Sequence, residues 1–316
     1  MEGLWSRIIT PFSFAILMFL NISCQDVDTG PRILSFPGGV VVAGDGEIFL
    51  TIVNPPAVLR VNPDTGEVTT VSGSGVGTGP GFSFPRGLTI DNEGIIFVTD
   101  SDLRAVFSVD PVTGNRNIIS SSSVGSGTDL RNPVDVAVEL DGNLVVADPN
   151  LKALVMINPM NGNRSILSGD NIGRGTNFRA PVGVIVDDEG ILLVGDQFRG
   201  AVFEVDPHTG DRNVISNRKI GNGPLFDQIS GLALDTDGNI VVVATGGNNV
   251  IGVEILTGDR GVISGFLTGS GPFFQFPRAI AVENDGNILV FGNNNRILFR
   301  VNPISGNRTI LAEIET

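Results

Sequence analysis

A few residues stand where their types and spacing would support chemistry. Asp100, Asp148 and Asp196 lie 48 residues apart at one equivalent position, where the other copies hold Ile52, Ala244 and Gly292. Three carboxylates offer the oxygen ligands that a hard cation such as Ca²⁺ takes. The competing use of such an Asp is to bond the amides of its own loop. Asp135 is more individual, because its equivalents are Gly39, Gly87, Gly183, Gly231 and Ala279. A lone carboxylate among small residues either faces open space or satisfies a buried bond; desolvated, it would have a shifted pKa suited to proton transfer. Arg86 and Arg278 share the preceding position, where other copies have Gly38, Val134, Val182 and Ser230. Two guanidiniums would hold an anionic ligand group or pair with neighbouring Asp.

Counting closes off several reaction types. The chain has one histidine and one cysteine. His208 stands in a turn where the other copies have Asp64, Val112, Met160, Leu256 and Ile304, which reads as a surface substitution. One histidine cannot build a multi-histidine zinc site, and on a turn it makes no Ser-His-Asp arrangement credible. Cys24 lies ahead of the repeated body and supplies it with no nucleophile. The catalytic residues therefore stay unassigned.

The elements that must position these residues repeat. Val61–Gly66 reads Val-Asn-Pro-Asp-Thr-Gly, and variants of that phrase return at Val109, Ile157, Val205, Val253 and Val301, always 48 residues on. A period of this length marks one supersecondary unit stacked repeatedly. Within a unit, an alternating apolar segment ends in an acidic Gly turn and is followed at once by a second apolar run, as in 87–98, a hairpin signal. A third strand runs into the Pro- and Gly-containing phrase. A fourth begins at Arg116, Arg164, Arg212, Arg260 or Arg308, whose charge suits an outer edge. The Gly-x-Gly pairs at 77/79, 125/127, 173/175, 221/223 and 269/271 precede no helix, so they read as turns rather than phosphate cradles. The Phe or Leu at 82, 130, 178, 226 and 274 reads as a plug between units.

The fold class that follows is all-β: a six-bladed β-propeller with four antiparallel strands per blade and a 48-residue repeat, spanning 37–316. The ring closes by face packing alone, or else Asp28–Ser35 pairs across the seam as a strand. The units 85–100 and 133–148 resemble NHL-repeat proteins and the wider six-bladed group that includes gluconolactonase-like enzymes, over residues 37 to 311. That group contains lyases, lactonases, dehydrogenases and pure binding modules, so the resemblance implies a fold and not an activity. It also implies that the second-to-third-strand loops lie at the channel mouth. Asp100, Asp148 and Asp196 would there hold Ca²⁺ or another divalent metal.

Residues 1–23 read as a signal peptide: Arg7 precedes a mostly apolar run, Ile8 to Ile22, whose core stretch Phe12 to Leu20 is too short for an ordinary spanning helix. Residues 24–36 form a linker. The position of Cys24 resembles a bacterial lipoprotein site, although Leu20 stands four residues before it where three is usual. Lipidation and plain cleavage both remain open. The expected location is extracytoplasmic, whether secreted, periplasmic or lipid-anchored, with no transmembrane span after leader removal. A net charge of −14 from dispersed carboxylates speaks against nucleic acid or an anionic membrane as partner.

The function expected from these residues is binding of a small molecule or a protein at the channel mouth, without catalysis and with no certain cofactor. Asp135, Arg86 and Arg278 are the expected ligand contacts. The alternative is a divalent-metal-dependent hydrolase, lactonase or lyase whose site is that same mouth, with Asp100, Asp148, Asp196 and Asp135 as ligands or base.

Overall fold

The computed structural model describes residues 37–292 and 296–315. The leader, Cys24 and the linker lie outside the described residues. Six four-stranded sheets follow one another along the chain, and in each the strands pair antiparallel in sequence order. The first blade is built from Pro37–Val42, Ile48–Val53, Pro56–Val61 and Val68–Ser72, and the last ends at Glu313. The six innermost strands surround a central channel whose lining is mostly Gly, Ala and Val.

Burial explains why each unit needs its neighbours. The second strand of every blade is solidly apolar in its middle and buried on both faces, as in Leu144–Asp148 and Ile240–Ala244. Each hydrophobic cluster therefore mixes side chains of two adjacent blades. Phe178, Val194 and Phe203 of blade 4, for example, pack with Val145 and Leu154 of blade 3. The ring closes in the same way. Leu50 and Leu59 of blade 1 share one cluster with Leu289, Phe291 and Leu298 of blade 6, and among the described residues each sheet is built from consecutive strands; the alternative seam strand Asp28–Ser35 lies outside them.

The arginines that head the fourth strands are not exposed edge charges. Arg116, Arg164, Arg212, Arg260 and Arg308 are all buried. Arg212 donates to Ser168 Oγ at 2.7 Å, to Ile172 O at 2.8 Å and to Thr176 O at 3.0 Å, so blade 4 is bolted to blade 3 and to the loop between them. Its guanidinium also lies over the Phe178 plug, 5.5 Å from the ring centre. A guanidinium has five donors and no acceptor, and a loop of outward-turned carbonyls satisfies it completely. The Gly-x-Gly pairs make that loop possible. Gly173 has a φ of 76°, and a Cβ there would stand 1.8 Å from Gly210 O of the next blade. Val68 occupies the corresponding position of blade 1, so the seam lacks this bolt.

Within each blade the first-to-second turns and the second-to-third turns leave opposite ends of the sheet, as antiparallel pairing requires. Each first turn carries two or three carboxylates and neither Lys nor Arg, as in Asp187-Asp188-Glu189. The second turns carry Arg104, Lys152, Arg199 and Arg296. One end of the channel is thus acidic and the other is dressed with cations.

Candidate functional site

The cationic end gathers most of the residues singled out by the sequence. Arg86 and Arg278 each sit at an irregularity in the pairing of their blade's first and second strands, between Pro85 and Leu88 and between Pro277 and Ala279. A bulge turns a side chain out of the ordinary alternation. Here it places both guanidiniums in the wall of a mouth cavity of about 250 Å³, beside Gly38, Asn132, Asn150, Gln197, Phe198 and Ser230. All six blades contribute to that wall. Blades 2 and 6 flank blade 1, whose Gly38 packs so closely that a Cβ there would stand 1.8 Å from Thr51 Oγ1 and 2.3 Å from Arg86 O.

Arg86 lies over the Phe84 ring at 5.5 Å. Its pKa is pulled down to about 10, first by burial and then by the positive charge of Arg278, with Asp135 pulling the other way. Burial also lowers the pKa of Arg278. Two cations held close enough to repel each other form a site that an anion would relieve.

Asp135 lies one step deeper, in the wall of the channel, whose cavity volume is about 430 Å³. Blade 3 has no irregularity at this point, and Asp135 pairs in register with Ala147. Its Oδ2 accepts the Val184 amide of blade 4 at 2.9 Å. Its other oxygen leans on Gly87 of blade 2, where a Cβ would stand 2.3 Å away, which is why that position must be glycine. The carboxyl therefore joins the inner strands of blades 3 and 4, packs against that of blade 2, and borders the channel as well. Burial pushes its pKa up to about 7 against the opposing pull of the Val184 and Val136 amides and of the Arg86 charge.

Asp100, Asp148 and Asp196 are placed differently. Each is fully buried. The Asp148 oxygens accept the amides of Arg131 at 2.7 Å, Asn132 at 2.9 Å, Asn150 at 3.1 Å and Leu151 at 3.1 Å. Asp100 takes the amides of Ser83, Phe84 and Leu103, and Asp196 those of Arg179, Ala180 and Arg199. Each carboxylate closes the loops of its own blade. Among the described residues no three His, Cys, Asp or Glu side chains stand together as a metal site would require. His208 is exposed on its turn, with its amide bonded to Asp206. The amide-rich loop of blade 5 performs turn chemistry: Asn248 adopts a φ of 50°, and its side chain accepts the Phe276 amide at 2.9 Å.

Residues that sequence reasoning passed over complete the rim. Arg179, Asn150 and Phe198 border the mouth, and Arg131 and Lys152 stand just outside it. The signal was available in the internal alignment. Arg131 and Arg179 align with Ser83, Asp227 and Gln275, whereas Lys152 aligns with Arg104 and Arg296 as well as with Gly200 and Asn248.

No protein-family profile matches the chain, and no curated protein matches it. Among solved structures, similarity extends to six-bladed propeller proteins. A Bacteroides thetaiotaomicron protein of unknown function superposes with a TM-score of 0.65 at 17% identity, over 84% of this chain and 68% of the other. Nidogen from its complex with laminin gives 0.64 at 15% identity, over 83% and 90%. A streptogramin B lyase gives 0.61 at 14% identity, over 90% and 85%. A virginiamycin B lyase from Staphylococcus aureus, solved with quinupristin as a catalytically inactive histidine-to-alanine variant, gives 0.59 at 15% identity, over 89% and 85%. Likeness at this level of identity establishes the fold alone.

Proposed function

We propose that this propeller is a binding module that captures a small anionic molecule at the cationic mouth of its channel. The observation that carries the reading is the convergence of Arg86 and Arg278, from blades 2 and 6, on one cavity. A carboxylate or phosphate seated there would take forked hydrogen bonds from both. The amides of Asn132, Asn150 and Gln197 supply donors and acceptors for neutral polar groups of the same ligand. The resemblance of units 85–100 and 133–148 to NHL-repeat propellers accords with this reading, since that group includes pure binding modules.

Calorimetric titration tests it. D-galacturonate binds and neutral D-galactose does not. Arg278→Gln lowers galacturonate affinity about tenfold or more, the loss of one charge-assisted contact. Equal binding of the acid and the neutral sugar would refute the reading.

A second reading rests on Asp135. A carboxyl whose pKa stands at about 7, beside an arginine that would hold a substrate carboxylate, has the protonation behaviour of a general base in a lyase. Two of the similar structures are lyases, and the inactive variant of the virginiamycin enzyme ties that protein's activity to a histidine. The only histidine of this chain is exposed in a turn at 208 and does not line the mouth. Binding is therefore the first reading. Conversion of a bound uronate to an unsaturated product, abolished by Asp135→Asn with binding retained, would replace it with the second.

A further inference from the structure

The mouth does not end at the two arginines. It runs on across blades 3 and 4 into an open groove of about 700 Å³ lined by Arg131, Pro149, Asn150, Lys152, Arg179 and Phe198. Four of those residues also border the mouth, so the two cavities form one continuous path. Half of the groove's lining residues are cations, exposed, and none of them pairs with a carboxylate among the described residues.

The scaffold does not ask for these side chains. The amides of Arg131 and Arg179 cap Asp148 and Asp196, a task the backbone performs whatever the side chain. Lys152 closes its turn with a φ of 54°, a conformation natural to glycine and asparagine, which stand there in blades 4 and 5, while Arg104 and Arg296 hold it in blades 2 and 6, so the turn requires no particular side chain. Phe198 is 70% exposed at a turn tip whose counterparts are Asn54, Asp102, Asn150 and Gly246. An apolar ring in one lining with cations and side-chain amides matches a ligand that combines charge, apolar faces and hydroxyls. A sugar acid has those features: carboxylate for the guanidiniums, C–H face for the aromatic ring, and hydroxyls for the amides.

We propose that mouth and groove together bind an extended anionic oligosaccharide of uronic-acid type. Its terminal carboxylate lies between Arg86 and Arg278, and its following residues pass over Phe198 to Arg179, Arg131 and Lys152. The assignment rests on the anion-binding reading of the mouth. Single-stranded nucleic acid is also a polyanion with stackable rings, but its binders track the backbone along an extended basic groove. This groove is short, and the chain that carries it has a net charge of −14.

The experiment compares D-galacturonate with tetragalacturonate by calorimetry at low and moderate salt. The proteins are the wild type, Arg278→Gln, and a triple variant, Arg131→Ser, Lys152→Asn and Arg179→Gln. The triple variant borrows the residues that stand at the same positions in other blades, so the fold tolerates it; an unchanged melting temperature verifies this. The tetramer binds the wild type about tenfold or more tightly than the monomer. The triple variant loses that gain and retains monomer affinity, while Arg278→Gln weakens both ligands. A tetramer no tighter than the monomer, or a triple variant that keeps the gain, overturns the groove assignment and leaves the mouth reading standing. Tetramer binding that depends on the groove cations, with no monomer binding and no effect of Arg278→Gln, overturns the mouth reading and with it the combined path. An octanucleotide of single-stranded DNA bound more tightly than the tetramer overturns the choice of a carbohydrate.

Discussion

Replacing Asp135 with asparagine tests whether a desolvated acid borders the channel. The folded-state pKa of about 7 lies above the ordinary value of 3.8. Below pH 3.8 both folded and unfolded chains carry the proton, and stability is unaffected. Between the two values the unfolded chain ionises while the folded one resists, so stability falls as pH rises. Above pH 7 the loss levels off. At about 1.4 kcal/mol per pKa unit, the full effect is about 4 kcal/mol, an upper limit because water in the channel screens the charge. Between pH 5 and pH 8 the wild type should lose about 2–3 kcal/mol of it. Asparagine cannot ionise, and its carbonyl still accepts the Val184 amide. The melting temperature of Asp135→Asn minus that of the wild type should therefore grow by about 4–12 °C from pH 5 to pH 8, at about 2–4 °C per kcal/mol. Any fixed change in hydrogen bonding cancels in that difference. A constant gap from pH 5 to pH 8 would show that the carboxyl folds ionised, and the reasoning would fail. A gap that shrinks as pH rises from 3 to 5 would show further that Asp135 is held as an anion by Arg86.

Two further outcomes check the scaffold. Arg212→Ala should destabilise the fold by about 3–5 kcal/mol, read as a lowered melting temperature, because it strands the carbonyls and hydroxyl that the guanidinium satisfies; a change below 1 kcal/mol would return this residue to the exposed edge. Adding Ca²⁺, or removing divalent cations with EDTA, should leave the melting temperature of the purified protein unchanged, because the oxygens of Asp100, Asp148 and Asp196 already accept loop amides. A clear rise with Ca²⁺ would restore these residues as metal ligands.

The propeller was legible because its determinants are local and repeated. An acidic Gly turn, a Pro-Asp-Thr-Gly-like phrase and runs of Val and Ile define each strand without reference to the rest of the chain. Asp135 and the arginine pair were legible for the opposite reason, since they break the repeat. What the repeat concealed was direction. Arg116 and its counterparts look like edge charges in one strand, and only the packing of the next loop over them explains their burial. The irregularities that aim Arg86 and Arg278 into the mouth depend on pairing register, which no single strand encodes. The groove was missed because Arg131, Lys152 and Arg179 come from separate loops of two blades. Their conjunction exists only after the ring has closed.

The most direct test of the account is a crystal structure of the protein soaked with D-galacturonate. The account predicts the sugar carboxylate bridging Arg86 and Arg278, with the ring directed toward Asn150 and Phe198. Sugar bound at the opposite, acidic end of the channel, or a mouth that holds only water at saturating ligand, would contradict it.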